Sequence, residues 1–285
     1  MSIYFSSHIL RRFGRVQALL DQLQPEAESR ACIVPGSPTP QRGVIIFPGS
    51  FNPPTTAHIA LLKQAQEFAH RQQEALQLYA AFSKHTVDKE SVERPLLLDR
   101  VMLLERLLRN RLPQVGIMLF NRGLYVEQAE AVRRSFPRVR RILFLIGFDK
   151  IVQIFDPRYY QDRDAALGEL FKLAEFLVAP RGNDGEKELS ALLHQSQNAR
   201  FTDYVHPLPF NPIYRHVSST AIRRQAVGIA TDVPREVRQF MQETRAYAPP
   251  LQWRDGATVD YYGQRVQVLT QLLGQQGVTR ARYGT

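Results

Sequence analysis

The sequence predicts an α/β fold, a doubly wound parallel sheet with helical N- and C-terminal extensions. Two observations predict it. From Gly43 onward, short and largely apolar runs alternate with stretches whose apolar residues recur at helical spacing. The runs also read as strands covered on both faces, which is the pattern of a parallel sheet joined by right-handed crossovers.

Residues Ser6 to Leu23 place Ile9, Leu10, Phe13, Val16, Leu19 and Leu20 at helical spacing, and a Pro- and Ser-bearing linker follows from Pro35 to Gln41. Arg11, Arg12 and Arg15, several serines and no acid in the first eighteen residues also fit a weak organellar presequence. An amphipathic helix packed on the main domain is the simpler reading. The alternation then runs Val44–Phe47 strand, His58–Gln72 helix, Leu76–Phe82 strand, Leu97–Arg109 helix, Val115–Phe120 strand, Val126–Phe136 helix and Arg141–Ile146 strand. It continues with a helix near Leu167–Leu173, a strand Glu175–Ala179, a helix around Glu188–His194 and an extended segment near Phe201–Leu208. These elements divide the chain into an extension over 1–42, a main domain over 43–248 and a tail over 249–285. The tail carries Trp253 and a short amphipathic segment, Val266–Leu273, for which packing on the domain, a homo-oligomer contact and a lid are the open roles.

Composition bounds the function. At 285 residues, 44% hydrophobic and 22% charged, the chain can bury a full-sized core. The single cysteine, Cys32, excludes an intramolecular disulfide and any multi-cysteine metal cluster, and favours a reducing compartment. Cytoplasmic placement is therefore expected, with nuclear or organellar placement left open. No apolar run approaches the roughly 18 residues of a spanning helix, so no membrane anchor is expected. The net charge of +10 invites a nucleic-acid reading, but the arginines are scattered through mixed helical stretches such as Arg133-Arg134 and Arg140-Arg141. Without an aromatic-and-basic ladder, no specific nucleic-acid partner is expected.

Three segments carry candidate chemistry. Gly49-Ser50-Phe51-Asn52-Pro53-Pro54-Thr55-Thr56-Ala57-His58 follows a strand and opens a helix. Its turn residues let backbone approach a ligand, and the helix start favours anions. Ser218-Ser219-Thr220-Ala221-Ile222-Arg223 sets three hydroxyls at a helix start with a guanidinium one turn on, a pattern suited to polyphosphate and equally to an ordinary N-cap. Gly147-Phe148-Asp149 ends a strand, where the Asp can accept from ribose hydroxyls. Open parallel sheets bind ligands beyond the carboxyl ends of their strands, so the Gly49 loop, Ser83-Lys84, Gly147–Asp149 and Pro180-Arg181 are expected along one rim.

Together these segments resemble the H/T-x-G-H nucleotidyltransferases. The Gly49–His58 loop is similar to the family's first motif in its Thr-first form, and Val217–Arg223 is similar to the distal I-S-S-T-x-I-R motif. Within the superfamily the likeness is to nicotinamide and nicotinate mononucleotide adenylyltransferases. Asn121–Glu127 resembles their pyridine-site segment, Leu145–Asp149 their G-x-D strand end, and Phe155–Tyr160 the segment that ends in an aromatic. The chain departs from the pattern at Ala57, where glycine is common, at Phe148 in a small-residue position, at Tyr160 where tryptophan is common, and at Tyr125 where threonine is common.

The resemblance implies a Rossmann-like fold and adenylyl transfer: the 5′-phosphate of a pyridine mononucleotide attacks the α-phosphorus of ATP and pyrophosphate leaves. It assigns catalysis to His58 and Arg223. The ATP phosphates and adenosine fall to Gly49, Thr55, His58, Gly147, Asp149, Arg181, Ser218, Ser219, Thr220 and Arg223. The mononucleotide falls to Ser50, Phe51, Tyr125 and Tyr160, with Lys84 or Lys89 on its phosphate. Mg2+ enters with ATP, held by phosphate and water oxygens. Two other functions fit the motifs: an adenylyltransferase for another phosphorylated acceptor such as pantetheine phosphate, and a non-catalytic nucleotide-binding regulator.

Overall fold

A computed structural model describes residues 5–72, 74–84, 94–181, 185–224, 232–252 and 256–283. In chain order its elements are α1 (Ser7–Gln22), β1 (Ala31–Ile33), β2 (Gly43–Pro48), α2 (Thr56–His70), β3 (Leu76–Ser83), α3 (Leu97–Arg111), β4 (Gly116–Phe120) and α4 (Tyr125–Ser135). There follow β5 (Arg141–Gly147), α5 (Phe148–Phe155), α6 (Arg163–Leu173), β6 (Glu175–Ala179), α7 (Glu186–Leu193) and β7 (Val205–Pro207). Last come α8 (Ser219–Arg224), α9 (Arg235–Thr244), the two-stranded β8 (Leu251–Gln252) and β9 (Thr258–Val259), and α10 (Tyr261–Tyr283).

The main sheet runs β1-β4-β3-β2-β5-β6-β7. All neighbours pair in parallel except β1, which lies antiparallel to β4 with Ala31 opposite Phe120. The chain winds outward from β2 through β3 to β4, then returns to the middle and winds the other way through β5, β6 and β7. The reversal falls between β2 and β5. Period-two alternation splits β2 between two cores: Ile45 and Phe47 face the helices of the first, Val44 and Ile46 those of the second. All four are nearly inaccessible to solvent, as a strand covered on both faces requires.

The first forty residues are more than an extension. β1 completes the sheet edge, and the expected linker is pinned beside it: Ser37 Oγ accepts from Ile117 N at 2.9 Å, and Tyr79 Oη donates to Pro38 O at 2.8 Å. The Tyr79 ring lies so close to Gly116 that a Cβ there would sit 2.6 Å from it, so the position requires glycine. α1 buries Phe13, Val16 and Leu20 and packs on α3 and α10, with Arg12 paired to Glu105. Burial pushes the Cys32 thiol on β1 up to about 11 despite the lowering pull of Arg30, so it stays protonated at neutral pH.

Other differences from the sequence reading are local. The expected extended segment near Phe201–Leu208 is a 3-10 turn over Ala199–Tyr204 followed by β7. The short C-terminal amphipathic segment is part of the long helix α10. Trp253 lies outside the described residues. Among the described residues no helix is long and apolar enough to cross a membrane.

At the pole opposite the strand ends, Arg141 on β5 grips Glu175 on β6 with two bonds of 2.8 and 2.7 Å, and His206 on β7 meets the same carboxylate at 2.6 Å. Burial alone would raise the Glu175 carboxyl, but the hydrogen bonds from Arg141 and His206 outweigh it and hold the group at about 2, against 4.5 for a free glutamate. A carboxyl depressed by folding stabilises the protein above its unfolded pKa and loses that contribution as pH falls through its folded one. Stability should therefore decline between about 4.5 and about 2 through this group. In Glu175→Gln that part of the decline should vanish, which urea midpoints measured across the window will check.

Candidate active site

The loop after β2 turns sharply because Phe51 adopts a left-handed φ of 40°. Its ring is fully buried and lies 5.5 Å from Phe47, 5.1 Å from His58 and 5.2 Å from Phe82, centroid to centroid. The ring also fills the space under Gly49, where a Cβ would sit 3.0 Å from it. A non-glycine residue is held in this conformation by an aromatic anchor rather than by backbone freedom.

Thr55 caps α2. Its backbone N–H donates to His58 Nδ1 at 2.9 Å, and its Oγ1 accepts from His58 N at 3.3 Å, closing a reciprocal capping box. Since Nδ1 accepts, the proton of the neutral ring resides on Nε2, which makes that nitrogen a donor. Thr55 Oγ1 lies 2.7 Å from Nδ1 and therefore donates to it as well. Fully buried Thr55 thus fixes the tautomer and rotamer of His58.

α8 approaches the loop from the other side. Ser219 Oγ donates to Pro53 O at 2.8 Å, and Arg223 Nη1 donates to Asn52 O at 2.5 Å. Arg223 Nη2 reaches Thr220 Oγ1 at 3.3 Å, while Ser218 Oγ accepts from Ala221 N at 3.1 Å.

Loop and helix enclose a cavity of about 640 Å³ at the strand reversal. Gly49, Ser50, Asn52, Thr55 and His58 line one side, Ser218, Ser219, Thr220 and Arg223 another, and Gly147, Ala179, Pro180 and Arg181 the floor at the ends of β5 and β6. Phe210, Tyr214 and Val217 form an apolar wall. Arg181, Arg215, Arg223 and His58 line the cavity, with no Asp or Glu among its described lining residues. Donors without carboxylates, at the carboxyl ends of parallel strands and at the reversal of strand order, make an anion site.

Residues 46–225 match the cytidylyltransferase-like family, well over half of the chain. The chain belongs to the cytidylyltransferase-like family. It is a nucleotidyltransferase. Among solved structures its fold is similar to nicotinic acid mononucleotide adenylyltransferase of Plasmodium falciparum complexed with APC, at 14% identity and a TM-score of 0.50. The same enzyme complexed with NaAD gives 15% and 0.51. Each alignment covers 73% of this chain and 98% of the other. A sequence comparison with curated proteins finds no match.

The residues expected from the sequence differ in where they lie relative to this cavity. Gly49, Ser50, Thr55, His58, Gly147, Arg181, Ser218, Ser219, Thr220 and Arg223 come together in it. Asp149 sits at its rim, paired with Arg181 at 2.8 Å, both side chains about half exposed at 55%. Phe51, from which a backbone contact is expected, turns its ring into the core beneath the loop. Three others are not brought to the cavity. Lys84 Nζ donates to Leu20 O at 2.8 Å, closing the C-terminal end of α1. Tyr125 packs edge-on against Phe144 and Phe176 in the second core, where burial raises its hydroxyl pKa. Tyr160 Oη donates to Ile154 O at 2.7 Å on the same side of the sheet. Lys89 lies outside the described residues.

The sequence reading missed the wall of Phe210, Tyr214 and Val217 and the basic Arg215. It also missed Asn52, fully buried with Oδ1 unpartnered. The aromatic-bearing Phe210-Asn211-Pro212-Ile213-Tyr214 turn was the available signal. Lys84→Met is expected to keep turnover and both KM values within about twofold while lowering Tm by a few degrees, because only the contact to α1 is lost. Steady-state kinetics with a thermal melt will check it.

Proposed function

We propose that the protein joins the AMP moiety of ATP to nicotinamide or nicotinate mononucleotide, forming the dinucleotide and pyrophosphate. One observation carries the reading: Thr55 and His58 at the start of α2, and Ser219 and Arg223 on α8, face one cavity with no carboxylate among its described lining residues. The substrate for which the Plasmodium falciparum enzyme is named supports the acceptor class.

In this reaction an oxygen of the mononucleotide 5′-phosphate bonds to the α-phosphorus of ATP, and the bond from that phosphorus to the β-bridging oxygen breaks. The attacking phosphate is already ionised, so no base has to take a proton. The work is to hold two repelling anions in line and to stabilise charge on the transferring and leaving groups. His58 Nε2–H donates to the α-phosphate region, and Arg223 meets the β- and γ-phosphates. Thr55 acts by orienting His58. Ser219 holds the loop through Pro53 O. Gly49 and Ser50 offer backbone to the nucleotide, and Arg181, released from Asp149, faces the adenylate side while Asp149 takes the ribose. Among the described residues no group of three or more His, Cys, Asp or Glu is placed to hold a metal. Mg2+ would enter with ATP as part of the substrate, where it would neutralise phosphate charge.

Incubating the protein with ATP, magnesium and each mononucleotide in turn, then measuring dinucleotide and pyrophosphate, tests the reading. No product from either overturns it. A different phosphorylated acceptor, such as pantetheine phosphate, is the second reading, favoured by the placement of Tyr125 and Tyr160 in the core instead of the cavity. Pyrophosphate release with that acceptor alone would establish it.

A further inference from the structure

The loop from Ser50 to Pro53 is held from two sides. α8 grips its last two carbonyls, as described above. On its underside the bonds come from the segment that enters α3: Arg100 Nη1 donates to Ser50 O at 3.1 Å, and Asn52 Nδ2 donates to Arg94 O at 3.3 Å. Arg100 Nε and Asn52 Oδ1 are buried without a hydrogen-bond partner, so these two bonds are the hydrogen-bonded support that the two side chains give the loop.

The Arg94–Arg100 segment is in turn fixed by the C-terminal helix. Tyr262 Oη accepts from Leu96 N at 2.7 Å and donates to Asp99 Oδ2 at 2.8 Å. Arg265 Nη2 donates to Asp99 Oδ1 at 2.7 Å, and Asp260 pairs with the Arg94 guanidinium. Asp99 and Tyr262 are both about 1% exposed, so these are interior bonds that water cannot replace. Asp99 immediately precedes Arg100, and Asp260 holds the residue whose carbonyl receives Asn52. Each bond to the underside of the loop is thus one residue or less from a bond to α10.

We propose that Asp260 and Tyr262, at the start of α10 and beyond the residues that match the family, are positioning residues for the nucleotide loop. The C-terminal helix is then part of the site's scaffold: it acts through Arg94 and Arg100 and touches no substrate. Its catalytic consequence rests on the cavity being the reacting site, whereas its effect on the loop does not. Misplacing Ser50 and Asn52 by a fraction of an ångström would spoil the in-line geometry more than the binding of ATP.

The test uses the full chain with Asp260→Ala, Asp260→Glu and Tyr262→Phe, and with Leu193→Ala as a control that removes core packing on the opposite face, where Leu193 is 6% exposed. Hydrogen exchange is read at the amides of Gly49, Ser50, Phe51, Asn52 and Thr55, and kcat and KM for ATP in parallel. Asp260→Ala and Tyr262→Phe should exchange about tenfold faster across the loop and lose about tenfold in kcat, with the KM for ATP within about twofold. Asp260→Glu should retain wild-type values, and Leu193→Ala should leave the loop amides unchanged. Wild-type exchange in both Asp260→Ala and Tyr262→Phe overturns the proposal, as does equal acceleration in Leu193→Ala. If the wild type forms no product with either mononucleotide, the acceptor reading fails while the exchange data still decide the role of α10.

Discussion

Replacing His58 with alanine is expected to cut turnover by about 10²-fold or more, the scale of losing one transition-state donor. The side chain serves two purposes that the experiment can separate. Its Nδ1 closes the capping box at the start of α2, and loss of such a cap costs about 1 kcal/mol of stability. In the proposed reaction its Nε2–H is the donor to the α-phosphate region. A folded His58→Ala protein should therefore melt slightly lower yet be nearly inactive, a disproportion that a purely structural histidine would not produce. Wild-type turnover in that protein would remove His58 from the mechanism. Thr55→Val provides the companion measurement: it keeps the backbone N–H that fixes Nδ1 but removes the hydroxyl, so a smaller loss of turnover is expected than for His58→Ala.

Arg223→Ala should raise the KM for ATP about tenfold and also slow the chemical step, for a combined loss near 10²-fold in kcat/KM. The guanidinium holds the Asn52 carbonyl and Thr220 Oγ1. Its removal therefore takes away a loop strut as well as a positive charge. Arg223→Lys separates these contributions, since it keeps the charge but cannot reproduce the planar fork. Recovery of ATP affinity without recovery of kcat is the expected pattern. Unchanged rate and unchanged ATP KM in Arg223→Ala would rule out its phosphate role.

The sheet was largely legible because buried parallel strands announce themselves as apolar runs, and Glu175–Ala179 matches the expected strand at both ends. β1 was not, since Ala31-Cys32-Ile33 is too short to show a period and becomes a strand only by pairing with β4. α10 was underestimated because Gly263, Gly274 and repeated glutamines interrupt its apolar stripe, and its early part is held instead by polar bonds to α3.

Within the site, the sequence order of the motifs foretold that the His58 and Arg223 segments would meet, because the winding of the sheet brings both to the strand reversal. It could not tell on which side of the sheet a neighbouring residue would point. Tyr125 and Tyr160 lie close in sequence to strand ends yet turn into the second core. Lys84 follows β3 directly but reaches back to α1. Nor could it show that Ser219 and Arg223 engage Pro53 and Asn52, since those bonds join residues 166 and 171 positions apart.

The clasp of α1 and α10 around α3 bears on how the protein can be dissected. A fragment cut to the family-matching residues 46–225 would lose Phe13, Val16, Leu20, Tyr262 and Leu269 together with the sheet-edge strand. It would present a raw apolar face and an open strand edge to solvent, a surface that invites aggregation. The stretch matched by the family is thus narrower than the packed core, to which α1 and α10 both contribute.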